Sequence, residues 1–191
     1  TVLTEMLEHG FYKPHQVLSN QIDLSVFKPL TEEKSRLKKE FNLAGLTVVY
    51  AGRLGPEKKI DVIIRALVLV KEYFPEIILA IAGHGSAEPA LKNLVRELHL
   101  EANVKFYGTL DKVKLNRLYN AADIFTIAST SESQSMVLLQ AMASSLPVIG
   151  VNWRALPEYI NRHNGYTVAA DNPKEMADKI IHLLRHEDER K

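Results

Sequence analysis

Two basic side chains, Arg53 and Lys58, stand in a segment that directly follows the apolar run Thr47–Ala51. A guanidinium offers a planar fork to a phosphate, and an ammonium offers a compact charge. Gly52 lets the backbone approach a ligand closely, and a helix after the segment would add the positive end of its dipole. The segment is therefore a candidate phosphate-binding loop. The alternative is a solvated turn that carries two surface cations.

A histidine between two glycines, Gly83-His84-Gly85, follows the apolar run Ile77–Ala82. The imidazole of His84 can contact a ligand hydroxyl or a phosphate. No third glycine follows at the spacing of a dinucleotide-binding fingerprint, so that motif is not met. The alternative is a tight turn in which Ser86 caps the next helix.

A cluster of small polar residues, Ser129–Ser135, opens an expected helix near Met136. The first N–H groups of a helix lack intrahelical partners and, together with the helix dipole, form an anion site. The carboxylate of Glu132 cannot bind a phosphate, so we expect it to serve hydroxyl groups or a developing positive charge.

Gln140 lies eight residues after Glu132, about 2.2 helical turns, and projects from roughly the same side. Its amide oxygen can accept a hydrogen bond from a ribose hydroxyl. The alternative is a semi-exposed glutamine whose amide bonds to the backbone.

Six short apolar runs predict the strands that position these loops. They are Thr47–Ala51, Ile77–Ala82, Val104–Tyr107, Asp123–Ala128, Pro147–Val151 and Tyr166–Val168. Most are almost continuously apolar, as in parallel strands covered on both faces. Segments of helical period lie between them, which predicts an α/β fold with a doubly wound, Rossmann-like parallel sheet. Ligands bind at the carboxyl ends of the strands in such sheets, where all three loops lie.

The first thirty residues do not follow this alternation. They predict a helix at Thr1–His9, a short strand at Gln16–Ser19 and a linker around Pro29, which disfavours helix just before it. We interpret residues 1–29 as the tail of a preceding domain with an interdomain linker, and residues 30–191 as one α/β domain.

Two charged segments border the α/β alternation. A charged helix is predicted at Glu32–Phe41, and the final letters HEDERK predict a solvated tail.

The composition limits the function further. The 191 residues are 46% hydrophobic and 25% charged, with a net charge of +1 and no cysteine. The small net charge argues against a nucleic-acid partner, and the lack of cysteine excludes disulfides and cysteine-based zinc sites. The first ten residues lack the basic and apolar regions of a signal peptide. We expect a cytoplasmic protein. The chain begins at Thr1, so we expect it to be part of a longer protein.

Taken together, the motifs resemble retaining glycosyltransferases of family 4, which have the two-domain GT-B fold. The resemblance spans roughly residues 15 to 187 and rests on five segments in order. They are Ser19–Asp23 with Phe27 and Pro29; Ala51–Leu54 with Glu57 and Lys58; Ala82–Gly85; Phe106–Gly108 with Leu118–Asp123; and Glu132 with Leu139–Ala143 and Leu146–Val148. The resemblance implies that residues 30–191 are the C-terminal, donor-nucleotide-binding half of such an enzyme.

The resemblance also implies roles for the loop residues. Arg53 and Lys58 would neutralise the donor diphosphate and stabilise the leaving nucleotide, without a metal ion or other cofactor. Glu132 would contact the transferred sugar, and backbone N–H groups near Ser135 and Met136 would help to hold the phosphates. The other implied donor contacts are Gly52, Gly83, His84, Gly85, Gly108, the backbone around Tyr107 at the base, and Gln140 at the ribose.

The implied activity is transfer of a hexose from a nucleotide-sugar, with UDP favoured and GDP as the alternative, to an acceptor that the sequence does not identify. The acceptor would lie mostly against the N-terminal domain, so this half alone is expected to be a poor catalyst. Membrane association would also depend on that domain.

The sequence departs from the family pattern at Gln140, where the family has a second glutamate, and at Gln134-Ser135, where it has Phe-Gly. A neutral amide makes a weaker bond to a hydroxyl than a carboxylate does. On this ground a non-catalytic nucleotide-sugar-binding module stays open. A GT-B epimerase or phosphorylase, which would use the same nucleotide or phosphate site for other chemistry, is a further alternative, although the motif around Gln140 favours transfer.

Overall fold

The computed structural model describes residues 2–14, 16 and 20–190. Apart from Gln16, the predicted strand Gln16–Ser19 lies outside the described residues. The six described strands are β1 Thr47–Ala51, β2 Ile78–Ala82, β3 Val104–Gly108, β4 Ile124–Ile127, β5 Val148–Val151 and β6 Gly165–Val168. The helices are α1 Val2–Glu8, α2 Lys34–Glu40, α3 Ile60–Tyr73, α4 Glu88–Glu97, α5 Lys112–Ala121, α6 Met136–Ala143, α7 Leu156–Tyr159, α8 Pro173–Arg185 and α9 Glu187–Arg190.

All six strands are parallel and form one sheet in the order β3-β2-β1-β4-β5-β6. The predicted doubly wound, Rossmann-like fold is therefore confirmed. The chain runs outward from β1 in one direction and from β4 in the other, so the switch point of the sheet lies between these two strands. Ligands bind beside such a switch point, at the carboxyl ends of the strands.

The sheet is covered on both faces, which explains its continuously apolar strands. Every residue of β1, β2, β4 and β5 is buried. The helix α3 packs against α8, and the rings of Tyr119 and Phe125 meet edge to face at 6.0 Å. A rigid sheet of this kind fixes the positions of the loops that leave its edge.

The segment that we predicted as an interdomain linker is attached to the α/β domain. Phe27 is buried in the core. The N–H groups of Lys28 and Leu30 donate to the side-chain oxygens of Asn116 and Asn120 on α5, at 3.2 and 2.8 Å. The domain boundary at residue 30 stays a prediction, but residues 27–30 are packed against the α/β domain and hydrogen-bonded to α5.

The predicted charged tail is exposed at residues 186–189, as expected, but it is folded and anchored at its end. The last described residues form α9, and the guanidinium of Arg190 lies 3.0 Å from a carboxylate oxygen of Asp123. Asp123 is buried at the amino end of β4 and is also 2.8 Å from Lys34 Nζ and 2.9 Å from Lys38 Nζ. A buried carboxylate requires such counter-charges, and Arg190 supplies one of them.

We expect Asp123→Asn to lower the free energy of unfolding by about 2 kcal/mol, because three cations would lose their shared anion. Burial alone would raise the pKa of Asp123, but Lys34 and Lys38 bring that pKa below its ordinary value. The carboxylate therefore stabilises the fold fully above the ordinary aspartate pKa of about 3.9, and this stabilisation is lost as the pH falls toward the pKa of the folded protein. Urea denaturation at several pH values checks this, since the difference between the two proteins should narrow in acid; a difference that does not depend on pH would contradict it.

Candidate functional site

The loops after β1, β2 and β3 lie directly against one another at the carboxyl edge of the sheet. The N–H of Gly52 donates to the carbonyl of Ala82 at 2.9 Å, and the N–H of Gly83 donates to the carbonyl of Gly108 at 2.7 Å. All three glycines have positive φ angles, of 140°, 139° and 64° respectively. Backbone pairing thus continues beyond the strands and sets the floor of the site.

A second set of contacts joins the first two loops. The N–H of Leu54 donates to the carbonyl of His84 at 2.8 Å, and the N–H of Ala87 donates to the carbonyl of Leu54 at 2.9 Å. A Cβ atom on Gly85 would lie 2.3 Å from the carbonyl oxygen of Leu54, so this position has no room for a side chain. The N-cap of α4 is Ala87, without a side-chain bond, so Ser86 is not the cap that the alternative interpretation assumed.

Lys58 and Glu132 join the two sides of the switch point. Lys58 ends a short 3₁₀ turn after β1, and Glu132 lies in the loop after β4. The Nζ of Lys58 is 2.6 Å from Oε1 of Glu132, and the two side chains are only 17% and 12% exposed. The structure therefore brings two predicted site residues together, 74 positions apart in the chain.

Arg53 stands apart from this pair. Its guanidinium is 71% exposed and lies 2.6 Å from Oε1 of Glu57. Its carbonyl accepts a hydrogen bond of 3.1 Å from the hydroxyl of Tyr50, whose pKa is raised by burial and by the charge of Glu132. The neutral hydroxyl of Tyr50 thus orients the backbone of the loop, while the side chain of Arg53 lies at the solvent.

The imidazole of His84 is held by a carboxylate that the sequence analysis did not single out. Nδ1 of His84 lies 2.8 Å from Oε2 of Glu88, and Nζ of Lys92 lies 2.7 Å from Oε1 of the same residue. Lys92 and His84 both lower the pKa of Glu88. The spacing of four residues between His84 and Glu88 is the signal that could have identified this pair.

The start of α6 has the expected form of an anion site. Ser135 is the N-cap, and its hydroxyl accepts from the N–H of Leu138 at 3.4 Å. The N–H groups of Met136 and Val137 precede the first intrahelical bond of α6. These donors, with the dipole of the helix, favour a negatively charged ligand.

Gln140 lies within α6, and its amide oxygen Oε1 is buried without a hydrogen-bond partner. The backbone bond that the alternative interpretation assigned to the amide is therefore absent at this oxygen. An unsatisfied buried acceptor is costly, and a hydroxyl donor from a ligand would satisfy it.

Gln134 connects three parts of the molecule, a role that its sequence position did not predict. Its Oε1 accepts from the N–H of Asn20 at 2.9 Å, and its Nε2 donates to the hydroxyl of Tyr159 at 3.2 Å. The β4 loop is thereby tied to the segment before the domain and to α7. The only sequence signal was the departure from the family pattern at this position.

Tyr107 contributes its backbone, not its ring, to the carboxyl edge. Its hydroxyl donates to the carbonyl of Phe41 at 2.7 Å, and the two rings meet edge to face at 5.7 Å. Burial raises the pKa of Tyr107 to about 12. Gly108 follows directly, and a Cβ there would lie 3.0 Å from Nε2 of His84, so the loops after β2 and β3 approach closely.

Within residues 2–14, 16 and 20–190, no helix has the length and apolar character required to cross a lipid bilayer.

Comparison with solved structures places this fold among glycosyltransferase domains. The chain is similar to the C-terminal domain of a group 1 family glycosyl transferase from Francisella tularensis, with a TM-score of 0.79, 25% identity, and coverage of 89% of this chain and 91% of that one. It is also similar in fold to an Anabaena protein solved in complex with UDP and glucose, with a TM-score of 0.82, 23% identity, and coverage of 92% of this chain and 48% of that one. The predicted assignment to one half of a GT-B enzyme is thus confirmed at the level of the fold.

Sequence relatives agree with this assignment. The chain is 30% identical over 185 residues to a GDP-mannose-dependent monoacylated alpha-(1-6)-phosphatidylinositol monomannoside mannosyltransferase of Corynebacterium glutamicum, covering 92% of this chain and 48% of that protein. It is 29% identical over 187 residues to an N-acetyl-alpha-D-glucosaminyl L-malate synthase of Bacillus anthracis, covering 94% of this chain and 48% of that protein. The chain spans about half the length of the curated relatives that it matches.

The family described as glycosyl transferases group 1 matches residues 31–191, the whole of the sheet and its helices. The chain therefore belongs to the group 1 glycosyltransferases.

Proposed function

We propose that this chain is the donor-binding domain of a retaining, family 4 glycosyltransferase that transfers a hexose from a UDP-linked donor. The observation that carries the proposal is the pair formed by Lys58 and Glu132. It sets a cation and a carboxylate 2.6 Å apart between the loops after β1 and β4, where a doubly wound sheet binds its ligand.

The two charges have separate tasks in this proposal. Lys58, helped by Arg53 from the solvent side, takes the diphosphate of the donor and stabilises the nucleotide as it leaves. Glu132 accepts hydrogen bonds from the hydroxyl groups of the transferred sugar. The ion pair holds both side chains in place at the switch point until a donor enters.

Other groups at the same edge complete the donor site. The first N–H groups of α6, at Met136, contribute to the phosphate contacts, with Ser135 as the cap that positions them. Gln140 turns its Oε1, which is buried without a partner in this structure, toward the site to accept a ribose hydroxyl. The glycine loops at 52, 83, 85 and 108, with His84 and the backbone of Tyr107, form the wall beside the base.

The catalytic cleft would be completed by the other domain of a longer protein, which carries the acceptor. We propose that the transfer takes place in the cytoplasm, and that this chain alone binds donor but transfers sugar poorly. No metal ion is required, because Lys58, Arg53 and the start of α6 supply the positive charge.

Calorimetric titration of this chain with UDP, GDP and UMP, with and without a chelator, tests the proposal. We expect UDP to bind, GDP to bind more weakly, and UMP to bind at least about tenfold more weakly than UDP, because it lacks the second phosphate. The chelator should have no effect on UDP binding.

Two outcomes would change the proposal. Tighter binding of GDP than of UDP would keep the donor site and reassign its base to guanine. If none of the three nucleotides bound to a chain whose circular dichroism spectrum shows that it is folded, the donor-site proposal would be refuted.

A further inference from the structure

Two histidines and a glutamate meet at the junction of α8 and α9, on a part of the molecule that the donor site does not use. They are His182, His186 and Glu189, and one ligand atom from each lies within 4.8 Å of the others. Two imidazoles with a carboxylate form a donor set typical of Zn²⁺, whereas Mg²⁺ and Ca²⁺ take oxygen ligands. We propose that these three side chains bind one Zn²⁺ ion.

The spacing of the three groups suits the ion. His182 lies in the last turn of α8 and His186 is its C-cap residue, and the two rings stack at 4.2 Å. Nε2 of His182 is already 3.0 Å from Oε2 of Glu189. Ligand atoms around a tetrahedral zinc ion lie about 3.3 Å apart, given metal–ligand bonds of about 2.0–2.1 Å. Small side-chain rotations therefore close the site, and water takes the fourth position.

A neighbouring hydrogen bond holds His186 in the required form. Nδ1 of His186 lies 2.8 Å from the carbonyl oxygen of His182. A carbonyl only accepts, so this nitrogen carries the proton, and the lone pair of the neutral ring lies on Nε2. A metal-bound histidine typically donates its other N–H in this way.

The carboxylate is supported in the same manner. The hydroxyl of Tyr166 donates to Oε2 of Glu189 at 2.6 Å, and the ring of Tyr166 packs edge-on against His182 at 5.5 Å. These contacts hold the carboxylate of Glu189 beside the two imidazoles.

The position of the site indicates a structural role. Glu189 is adjacent to Arg190, which pairs with Asp123 at the amino end of β4. The zinc site therefore lies toward the amino edge of the sheet, opposite the donor loops. A bound ion would fasten α9 to α8 and keep Arg190 on Asp123.

The test is titration of the untagged, 191-residue chain with ZnCl₂, followed by competition with a chromogenic chelator. We expect one Zn²⁺ per chain, and His186→Ala should weaken binding by at least about tenfold. His186 is exposed, so this variant should fold. Glu189→Gln keeps the shape of the side chain and should also weaken binding.

His163→Ala is the matched control, because His163 is an exposed histidine outside the cluster. It should bind Zn²⁺ as the unchanged chain does. Equal loss in His163→Ala and His186→Ala, or an unchanged affinity in His186→Ala, would overturn the site, as would the absence of a one-to-one complex.

Hydrogen exchange distinguishes a built site from loose surface binding. Zn²⁺ should slow the exchange of the backbone amides in residues 187–190, and this slowing should vanish in His186→Ala. Binding without any change of exchange in α9 would overturn the structural role. Neither result depends on whether the chain binds nucleotides, so this inference stands apart from the proposed function.

Discussion

Lys58→Ala is expected to weaken the binding of UDP by roughly 10–100-fold, since a hydrogen bond to a charged group is worth about 1.5–3 kcal/mol. Glu132→Gln is expected to have no such effect. It should leave UDP affinity unchanged or raise it by up to about fivefold, because a partly screened ion pair is worth up to about 1 kcal/mol. Calorimetric titration of both variants with UDP measures the difference.

The opposite signs follow from the contact between the two side chains. In the absence of a ligand, Nζ of Lys58 is engaged with Glu132 at 2.6 Å. A diphosphate must share or take over that ammonium, so removal of the lysine removes the phosphate contact itself. Neutralising Glu132 instead releases the ammonium and removes a negative charge that repels the phosphates.

The free energy of unfolding should rank the two variants in the same order, with Lys58→Ala the lower. Lys58→Ala leaves the carboxylate of Glu132, which is only 12% exposed, without its partner, and a poorly solvated charge without a partner is unfavourable. Glu132→Gln leaves Lys58 with an amide oxygen that still accepts a hydrogen bond. We therefore expect Lys58→Ala to be the less stable of the two variants in urea.

Lys59→Ala provides the matched control. Lys59 is the next residue in the chain, but its ammonium pairs with Asp171 at 3.1 Å and not with Glu132. Its removal should change UDP affinity by less than about threefold. Equal weakening by Lys58→Ala and Lys59→Ala would mean that only the overall charge matters, and equal weakening by Lys58→Ala and Glu132→Gln would contradict the separate tasks proposed for the pair.

The strands could be predicted because their environment imposes one rule on every position. Parallel strands covered on both faces must be apolar throughout, and β1 and β2 appear in the sequence as such runs, Thr47–Ala51 and Ile77–Ala82. β1 has the predicted ends, and β2 begins one residue later than predicted. The helix α7 was not predicted, because four residues are too few to show a helical period.

The ion pairs between side chains of the site could not be predicted in the same way. The sequence shows Arg53, Lys58 and Glu132 as three charged candidates, but it does not show that Lys58 alone reaches Glu132 while Arg53 turns to Glu57. That division depends on the path of the loop, which includes a left-handed residue at Lys59. The contact of Arg190 with Asp123, 67 residues apart, likewise depends on the packing of the whole domain.

Gly83→Ala is expected to lower the free energy of unfolding by more than about 3 kcal/mol and to abolish UDP binding. Gly83 has a φ angle of 139°, and a Cβ there would lie 1.8 Å from the carbonyl oxygen of Gly52. Neither Gly83 nor Gly52 can shift by itself to relieve this clash, because the backbone of each residue is hydrogen-bonded to a neighbouring loop or strand. The loop after β1, which carries Lys58, would have to move away.

Gly10→Ala separates this clash from the cost of the dihedral angle. Gly10 also has a positive φ angle, of 82°, but no heavy atom lies within 4 Å of a Cβ at that position. We expect that variant to lose about 1 kcal/mol or less. Urea denaturation followed by circular dichroism gives both values. If the two variants were equally stable, the contact of the glycine loops would not hold the site together, and Lys58 would have to be positioned by its bond to Glu132 alone.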